Sequence, residues 1–250
     1  MKKISILGMA ALSFPWAGTT IAQEDEEPSI FTYATYMYCD TSKEDAADAN
    51  VAKGVDVMDK LVADGTLAGW GWMAHHTGGQ WRRIRYHNST SLQGAFDGLS
   101  AINEALTAEF GEDDEGDGGA CPRHDDYVWH GENGGGGDDG RGDAGFSIYF
   151  LCDTTREERA DEIVDEHLAP IYNKQVEDGA LSSWGWSSHV IGGKYRRLLT
   201  TTAADHKALL EARTAALEAI FGDDNELGAE FGDICSGHSD YMWNIVHETP

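Results

Sequence analysis

Basic residues are scarce in this chain of 250 residues: 18 lysines and arginines stand against 44 aspartates and glutamates, a formal net charge of −26. Such an excess of carboxylates repels nucleic acid phosphates and anionic lipid, and it favours solubility, cations and a salty medium. No nucleic acid partner is expected. Long apolar runs are missing as well. Ile4 to Leu12 is too short to span a bilayer. With Lys2 and Lys3 before it and Thr20-Ile21-Ala22 after it, it reads as a secretory signal over residues 1–22, cut before Gln23; an uncleaved N-terminal anchor is the alternative. The first cysteine after that cut is Cys39, so no lipid anchor is indicated. The mature chain is expected to be periplasmic or secreted, with no membrane contact once the signal is removed. A Ser-His-Asp elbow, a P-loop and a dinucleotide fingerprint are all absent.

What is present suffices for real cores, with 41% apolar and 10% aromatic residues. The dominant feature is a duplication. GWGWMAHHTGGQWRRIR (Gly69 to Arg85) returns as SWGWSSHVIGGKYRRLL (Ser183 to Leu199). Behind an acidic leader, residues 23–29, the chain divides into a first unit at 30–130, a Gly/Asp-rich linker at 131–145 and a second unit at 146–250. The linker, GENGGGGDDGRGDAG, is too poor in apolar groups to fold alone. Its Arg141-Gly142-Asp143 is assigned to composition and not to adhesion.

Within the first unit, FTYATYMYC reads as a strand ending at Cys39. Thr41-x-x-Glu44 has the form of a capping box opening a helix, whose stripe is Val51, Val55, Met58 and Val62 and whose stop is Asp64-Gly65. Leu67 to His76 and Gln80 to Tyr86 form a hairpin across Thr77-Gly78-Gly79. A second helix spans about Thr90 to Phe110, with Leu92, Phe96, Leu99, Ile102 and Leu106 on its apolar face. A strand follows the acidic loop, from Cys121 to Trp129. The second unit repeats this order, with a capping box at Thr154-x-x-Glu157 and a helix over Ala203 to Phe221. Pro170 should kink or split the helix it falls in.

The order β-α-β-β-α-β, twice, is that of the ferredoxin-like split βαβ unit, with a sheet in the order 4-1-3-2 and both helices on one face. Two such units in one chain can pack their bare faces together. The chain therefore resembles the dimeric α+β barrel superfamily with both halves fused, an α+β fold of two tandem ferredoxin-like repeats. Its G-W-G-W, histidine, Gly-Gly turn and Arg-Arg are similar to NIPSNAP-like and related uncharacterised members. The resemblance implies a pseudo-dimer within one chain, monomeric in solution, from a superfamily holding cofactor-free oxygenases, haem enzymes and proteins of no known activity.

Four cysteines in an exported chain suggest two disulfides, and four allow three pairings. The 4-1-3-2 sheet sets strand 1 beside strand 4, which favours Cys39 with Cys121 and Cys152 with Cys235. The rival is a zinc site built on Cys121-x-x-His124 and Cys235-x-x-His238.

Polar residues kept in both copies are the site candidates: His75 and His189, Arg83 and Arg197 (with Arg82 and Arg196), His124 and His238, Asp126 and Asp240. They have a structural reading as ion pairs and satisfied histidines. They also have a functional one. If strand 2 of one half meets strand 4 of the other, His75 approaches His238 and His189 approaches His124, giving two His-His-Asp clusters fit for a divalent transition metal or acid-base work. Haem is a lesser option with no evident axial ligand. Trp70, Trp72, Trp184 and Trp186 share one strand face and are expected as core against the helices, with an aromatic-lined pocket as the alternative; in the first case Gly71, Met73 and His75 face the barrel. Arg83 and Arg197 could then hold an anionic ligand. Asp113-x-Glu115-x-Asp117-Gly118 resembles a calcium loop but lacks its closing glutamate. Asn88-Ser89-Thr90 is a glycosylation sequon only in a eukaryotic host.

The functional expectation is an exported, disulfide-stabilised barrel that binds a small ligand or metal ion. The alternatives are an oxygenase-like or other redox enzyme, and a structural or envelope-stress protein with a filled barrel.

Overall fold

Aromatic and β-branched residues crowd Phe31–Tyr38, and this stretch is strand β1 of a computed structural model that describes residues 29–111, 119–137, 140–222 and 225–249. The signal segment and the calcium-like letters from Asp113 to Gly118 lie outside the described residues. Next come α1 (Glu44–Ala63), β2 (Gly69–Gly78), β3 (Arg83–Ser89), α2 (Leu92–Phe110) and β4 (Arg123–Gly136). The chain continues through β5 (Ala144–Leu151), α3 (Glu157–Ile163), a π turn (Val164–Leu168) and α4 (Ala169–Glu177). It ends with β6 (Ser183–Ile191), β7 (Arg197–Ala203), α5 (His206–Phe221), α6 (Glu226–Ile234) and β8 (Gly237–Glu248).

All strand pairs are antiparallel, and the eight strands close as a barrel in the order β1-β3-β2-β8-β5-β7-β6-β4. The class is mixed α+β. Two seams join the half β4-β1-β3-β2 to the half β8-β5-β7-β6: β2 against β8, and β4 against β6. The Gly-rich stretch expected as linker is half of one seam. Gly131 to Gly136 continue β4 and pair with Ser187 to Ser183. Glycine is needed there for close approach: a Cβ on Gly134 would lie 2.9 Å from the Trp184 carbonyl, and one on Gly135 2.8 Å from Asn173 Oδ1.

Strand alternation sorts the side chains. Inside the barrel lie Tyr36, Trp81, Tyr127, Trp129, Tyr149, Tyr195, Tyr241 and Trp243, all buried. Outside, each half-sheet has its own helix-covered core. The four hairpin indoles pack outward and donate to helix residues: Trp70 to Asp59, Trp72 to Asp48, Trp184 to Asn173 and Trp186 to Asp161. The Gly-Gly turns are latched across the seams. Gly78 (φ 123°) and Gly192 (φ 144°) take backbone angles that favour glycine, while a Cβ on Gly79 would fall 2.2 Å from the Tyr241 hydroxyl and one on Gly193 2.3 Å from that of Tyr127.

Both disulfides form in the expected pairing, Cys39 with Cys121 and Cys152 with Cys235, so no cysteine is left for zinc. Each staples the end of one strand (β1, β5) to the entry of its neighbour (β4, β8), and two bridges fit an oxidising compartment.

Two local expectations differ from the structure, while the helix holding Pro170 is split as expected. Neither capping box forms: α1 and α3 start after Lys43 and Arg156 with no side-chain cap, because arginines take the carboxylates of Glu44 and Glu157. The turns before these helices are held by Asp40 and Asp153, which accept from Ser42 and Thr155. On α2 the buried stripe is Ala95, Gly98 and Ile102, while Leu92 and Phe96 are exposed. The segment from Cys152 to Trp184 is one residue longer than that from Cys39 to Trp70, and the π turn absorbs the extra residue, with Pro170 just beyond it in the first turn of α4. Helix α6 carried no expectation from sequence.

Candidate functional site: a polar cleft between sheet and helices

The outward residues of β1, β3 and β4 meet α1 and α2 across a cleft of about 530 Å³. Tyr33 and Thr35 of β1, Arg85 of β3, and His124 and Asp126 of β4 line its sheet side, with Asn50 of α1 and Asn103 of α2 opposite. Met37, Met58, Leu99, Leu106, Trp70 and Trp72 supply apolar walls. Such a mixture suits a small molecule with an apolar body and a polar edge.

The charges are local. Asp126 Oδ2 lies 3.2 Å from His124 Nδ1, and Oδ1 is buried with no hydrogen-bond partner among the described residues. Burial, then the Asp126 carboxylate, raises the Tyr33 hydroxyl above its ordinary range, while the Arg85 charge pulls the other way. Tyr33 also stacks on His87, ring centroids 5.4 Å apart.

The other half gives the comparison that matters. Counting from the cysteines and the Arg-Arg pairs, Tyr33, Thr35, Arg85 and Asn103 correspond to Phe146, Ile148, Leu199 and Leu217. That second cleft is about 240 Å³, with Phe231 of α6 in its wall. Its aspartate is occupied: Asp240 takes Arg213 at 3.1 Å and His238 at 2.7 Å, and Arg213 lies over the Phe146 ring. In the first cleft Leu99 stands where Arg213 stands in the second.

The residues retained in both halves have other surroundings. Arg83 and Arg197 are buried under the helices. Arg83 binds Asp48 through two hydrogen bonds of 2.7 Å and reaches Glu44 at 3.2 Å; Arg197 does the same with Asp161 (2.7 and 2.6 Å) and Glu157 (3.1 Å). Their donors are spent on helix carboxylates, so neither faces a ligand. Burial works to raise the Glu44 and Glu157 carboxyls, but the paired arginines win and hold both below the ordinary value.

His75 and His189 face the barrel side, where Arg82 and Arg196 donate to Nδ1 at 2.5 and 2.8 Å. An acceptor Nδ1 means a neutral ring carrying its proton on Nε2. Burial, then the arginine charge, lowers both histidines. Each Nε2 is buried and closes no hydrogen bond of normal geometry among the described residues, although a glycine backbone (Gly78, Gly192) acts to raise each ring.

The two His-His-Asp clusters do not assemble. In the β2–β8 seam His75 sits opposite Trp243, and in the β4–β6 seam His189 sits opposite Trp129. His238 lies five residues along β8 from Trp243, roughly 16 Å at strand spacing. His124 and His238 also face outward, with Asp126 and Asp240, whereas His75 and His189 face inward. Among the described residues no three His, Cys, Asp or Glu side chains converge as a metal-binding group. The first cleft contains one imidazole, His124, already engaged by Asp126. This donor set does not fit a resident metal or haem.

Tyr33, Asn50, Arg85 and Asn103 went unread in the sequence because retention in both copies was the criterion. The signal was the reverse one: positions polar in one copy and apolar in the other.

The sequence matches no known family profile and no curated protein. The fold has many solved counterparts. An anthrone oxidase-like protein aligns over 90% of this chain and 94% of its own, with TM-score 0.52 and 12% identity. A putative monooxygenase from Lactobacillus acidophilus NCFM aligns over 89% and 96%, TM-score 0.56, 8% identity. A chlorite dismutase variant from Candidatus Nitrospira defluvii, in complex with cyanide, aligns over 87% and 91%, TM-score 0.54, 6% identity. At such identities the likeness is one of fold, that of the dimeric α+β barrel.

Proposed function

We propose that this chain is an exported, disulfide-stapled barrel of two fused ferredoxin-like units that binds one small organic molecule in the cleft of its first half. The observation that carries this reading is the divergence of the two clefts. One is enlarged and lined by Tyr33, Arg85, Asn103, His124 and Asp126; the other is narrowed and apolar at the matching strand and helix positions. A purely structural pair of halves gives no reason to line one cleft alone with so many polar side chains. The ligand this lining suits has an aromatic or aliphatic body and hydrogen-bonding groups at one edge. Barrel closure within one chain supports a monomer, and two disulfides support a periplasmic or secreted location.

The test converts the first cleft into the second. The probe is 8-anilinonaphthalene-1-sulfonate, an aromatic body with an anionic edge. The proposal expects one bound probe per chain and roughly tenfold or greater weakening in Arg85→Leu/Asn103→Leu, the size of a lost charge-assisted hydrogen bond. Equal affinity in wild type and in a folded double variant would overturn it.

Oxidase and monooxygenase names among the fold neighbours motivate a second reading, oxygenation of a phenolic ligand in the same cleft. Oxygen uptake with a bound phenol, lost in Asp126→Asn, is its expected outcome. Binding without uptake leaves the binding function alone.

A further inference from the structure

The barrel lumen is not completely filled. Its aromatic side chains crowd the end that holds the disulfides and Gly-Gly turns, and a cavity of about 150 Å³ remains toward the other end. Tyr36, Tyr86, Ser147 and Tyr149 bring hydroxyls to its wall, between apolar Met73 and Leu198. Arg141 completes the lining.

Arg141 comes from the Gly/Asp-rich crossing between β4 and β5, and its neighbours explain its position. Gly140 (φ 80°) and Gly142 (φ 75°) on either side both occupy the left-handed region, and a Cβ on Gly142 would fall 2.4 Å from the Ala203 carbonyl. Glycines thus press the backbone against β7 and turn the arginine over the lumen. Its Nη1 donates to the Tyr86 hydroxyl at 3.2 Å and pairs with Glu248, the last residue of β8. Among the described residues Nε and Nη2 have no hydrogen-bond partner. The Arg141 side chain keeps 34% of its exposure and that of Glu248 12%, so the pair closes the lumen mouth while remaining reachable from solvent. Burial pushes the Glu248 carboxyl up to about 7 and the Arg141 guanidinium down to about 10. Desolvation therefore works against the pair, although contact between the two charges opposes it.

From this geometry we infer that the barrel lumen is a second binding site, taking a small carboxylate no larger than one aromatic ring, with Arg141 as its anchor and Glu248 as the internal carboxylate it displaces. A cavity of about 150 Å³ is of the size that holds benzene. The guanidinium fork matches a carboxylate through two parallel hydrogen bonds, and among the described residues only Nη1 is engaged. The wall hydroxyls can serve a polar group on the far side of the ring. This site is separate from the sheet–helix cleft, shares no lining residue with it, and does not depend on the function proposed there.

The test uses benzoate and the full chain, followed by calorimetry and by NMR shifts of Tyr36 and Tyr149. Wild type is expected to bind one benzoate per chain. Arg141→Met should weaken binding by roughly tenfold or more, with Arg141→Lys intermediate because it keeps the charge and loses the fork. Glu248→Gln should tighten it by removing the competitor. Ala34→Leu, which fills the lumen without touching the pair, should abolish it, and Arg85→Leu in the outer cleft should leave it unchanged. Absence of benzoate binding to wild type would overturn the inference. So would binding that survives Ala34→Leu in a folded protein, or benzoate that displaces the anilinonaphthalene probe from the outer cleft.

Discussion

Arg83 and Arg197 show how one residue type in one sequence context can be read two ways. A doubled Arg-Arg invites an anion site, yet both arginines are nearly fully buried and spend their forks on Asp48 and Asp161. Removing one should leave a half-buried aspartate, Asp48 or Asp161, without its cation, while Glu44 and Glu157 keep Arg82 and Arg196. Arg83→Met is therefore expected to cost about 2–3 kcal/mol in urea unfolding, below the range for a fully buried pair because Asp48 and Glu44 keep some water. The paired glutamates carry a pH consequence. Glu44 and Glu157 have depressed folded values, so their stabilisation is complete above the unfolded value, about 4.3, and is lost as pH falls through the folded one. Acid titration followed by circular dichroism should find that increment missing in Glu44→Gln. The barrel-facing histidines act higher on the scale. Lowered folded values for His75 and His189 mean that the unfolded chain takes up protons first. Stability should fall as pH drops below about 6.5, and the slope should shrink in His75→Asn/His189→Asn.

The Gly-Gly turns and the disulfides act as elements, since each ties two strands together. Gly79→Ala places a methyl where the Tyr241 hydroxyl lies, and overpacking of this kind costs about 1–3 kcal/mol. Part of the loss should return in Gly79→Ala/Tyr241→Phe, and additivity in a double-mutant cycle would disprove the cross-seam latch. Each disulfide spans more than eighty residues, for which the chain-entropy model gives about 4 kcal/mol. Cys39→Ser/Cys121→Ser should lower the urea midpoint without changing the strand content of the folded state. Much at this scale was legible in advance: strand alternation, helix stops and the duplicated hairpin locate most elements. The capping boxes were not, because a glutamate three residues after a threonine has the same letters whether it caps the helix or meets an arginine from another strand.

For the whole molecule, the charge of −26 is the dominant long-range term. Repulsion among carboxylates opposes the compact state, and salt near 1 M shortens the screening length to about 3 Å. The melting temperature should therefore rise between dilute buffer and about 1 M NaCl, and a fall would show that the surface ion pairs outweigh the repulsion. The barrel also explains the Gly-rich crossing. As an isolated string Gly131 to Gly136 has nothing to bury, yet β6 offers it a strand edge, and only glycine approaches Trp184 and Asn173 closely enough to close the seam.

By itself the sequence determined the order of the strands and of the helices between them, α6 apart, and, through the sheet order that follows, the disulfide pairing, and it favoured the outward packing of the four hairpin tryptophans. These depend on local periodicity and on neighbours along one sheet. Only the tertiary structure decided which face each histidine takes at a bulged seam, that Arg83 and Arg197 answer to helix carboxylates, and that the clefts of the two half-sheets differ. Register across β2–β8 and β4–β6, and the meeting of sheet with helix, bring together residues far apart in the chain. No spacing in the sequence encodes those distances.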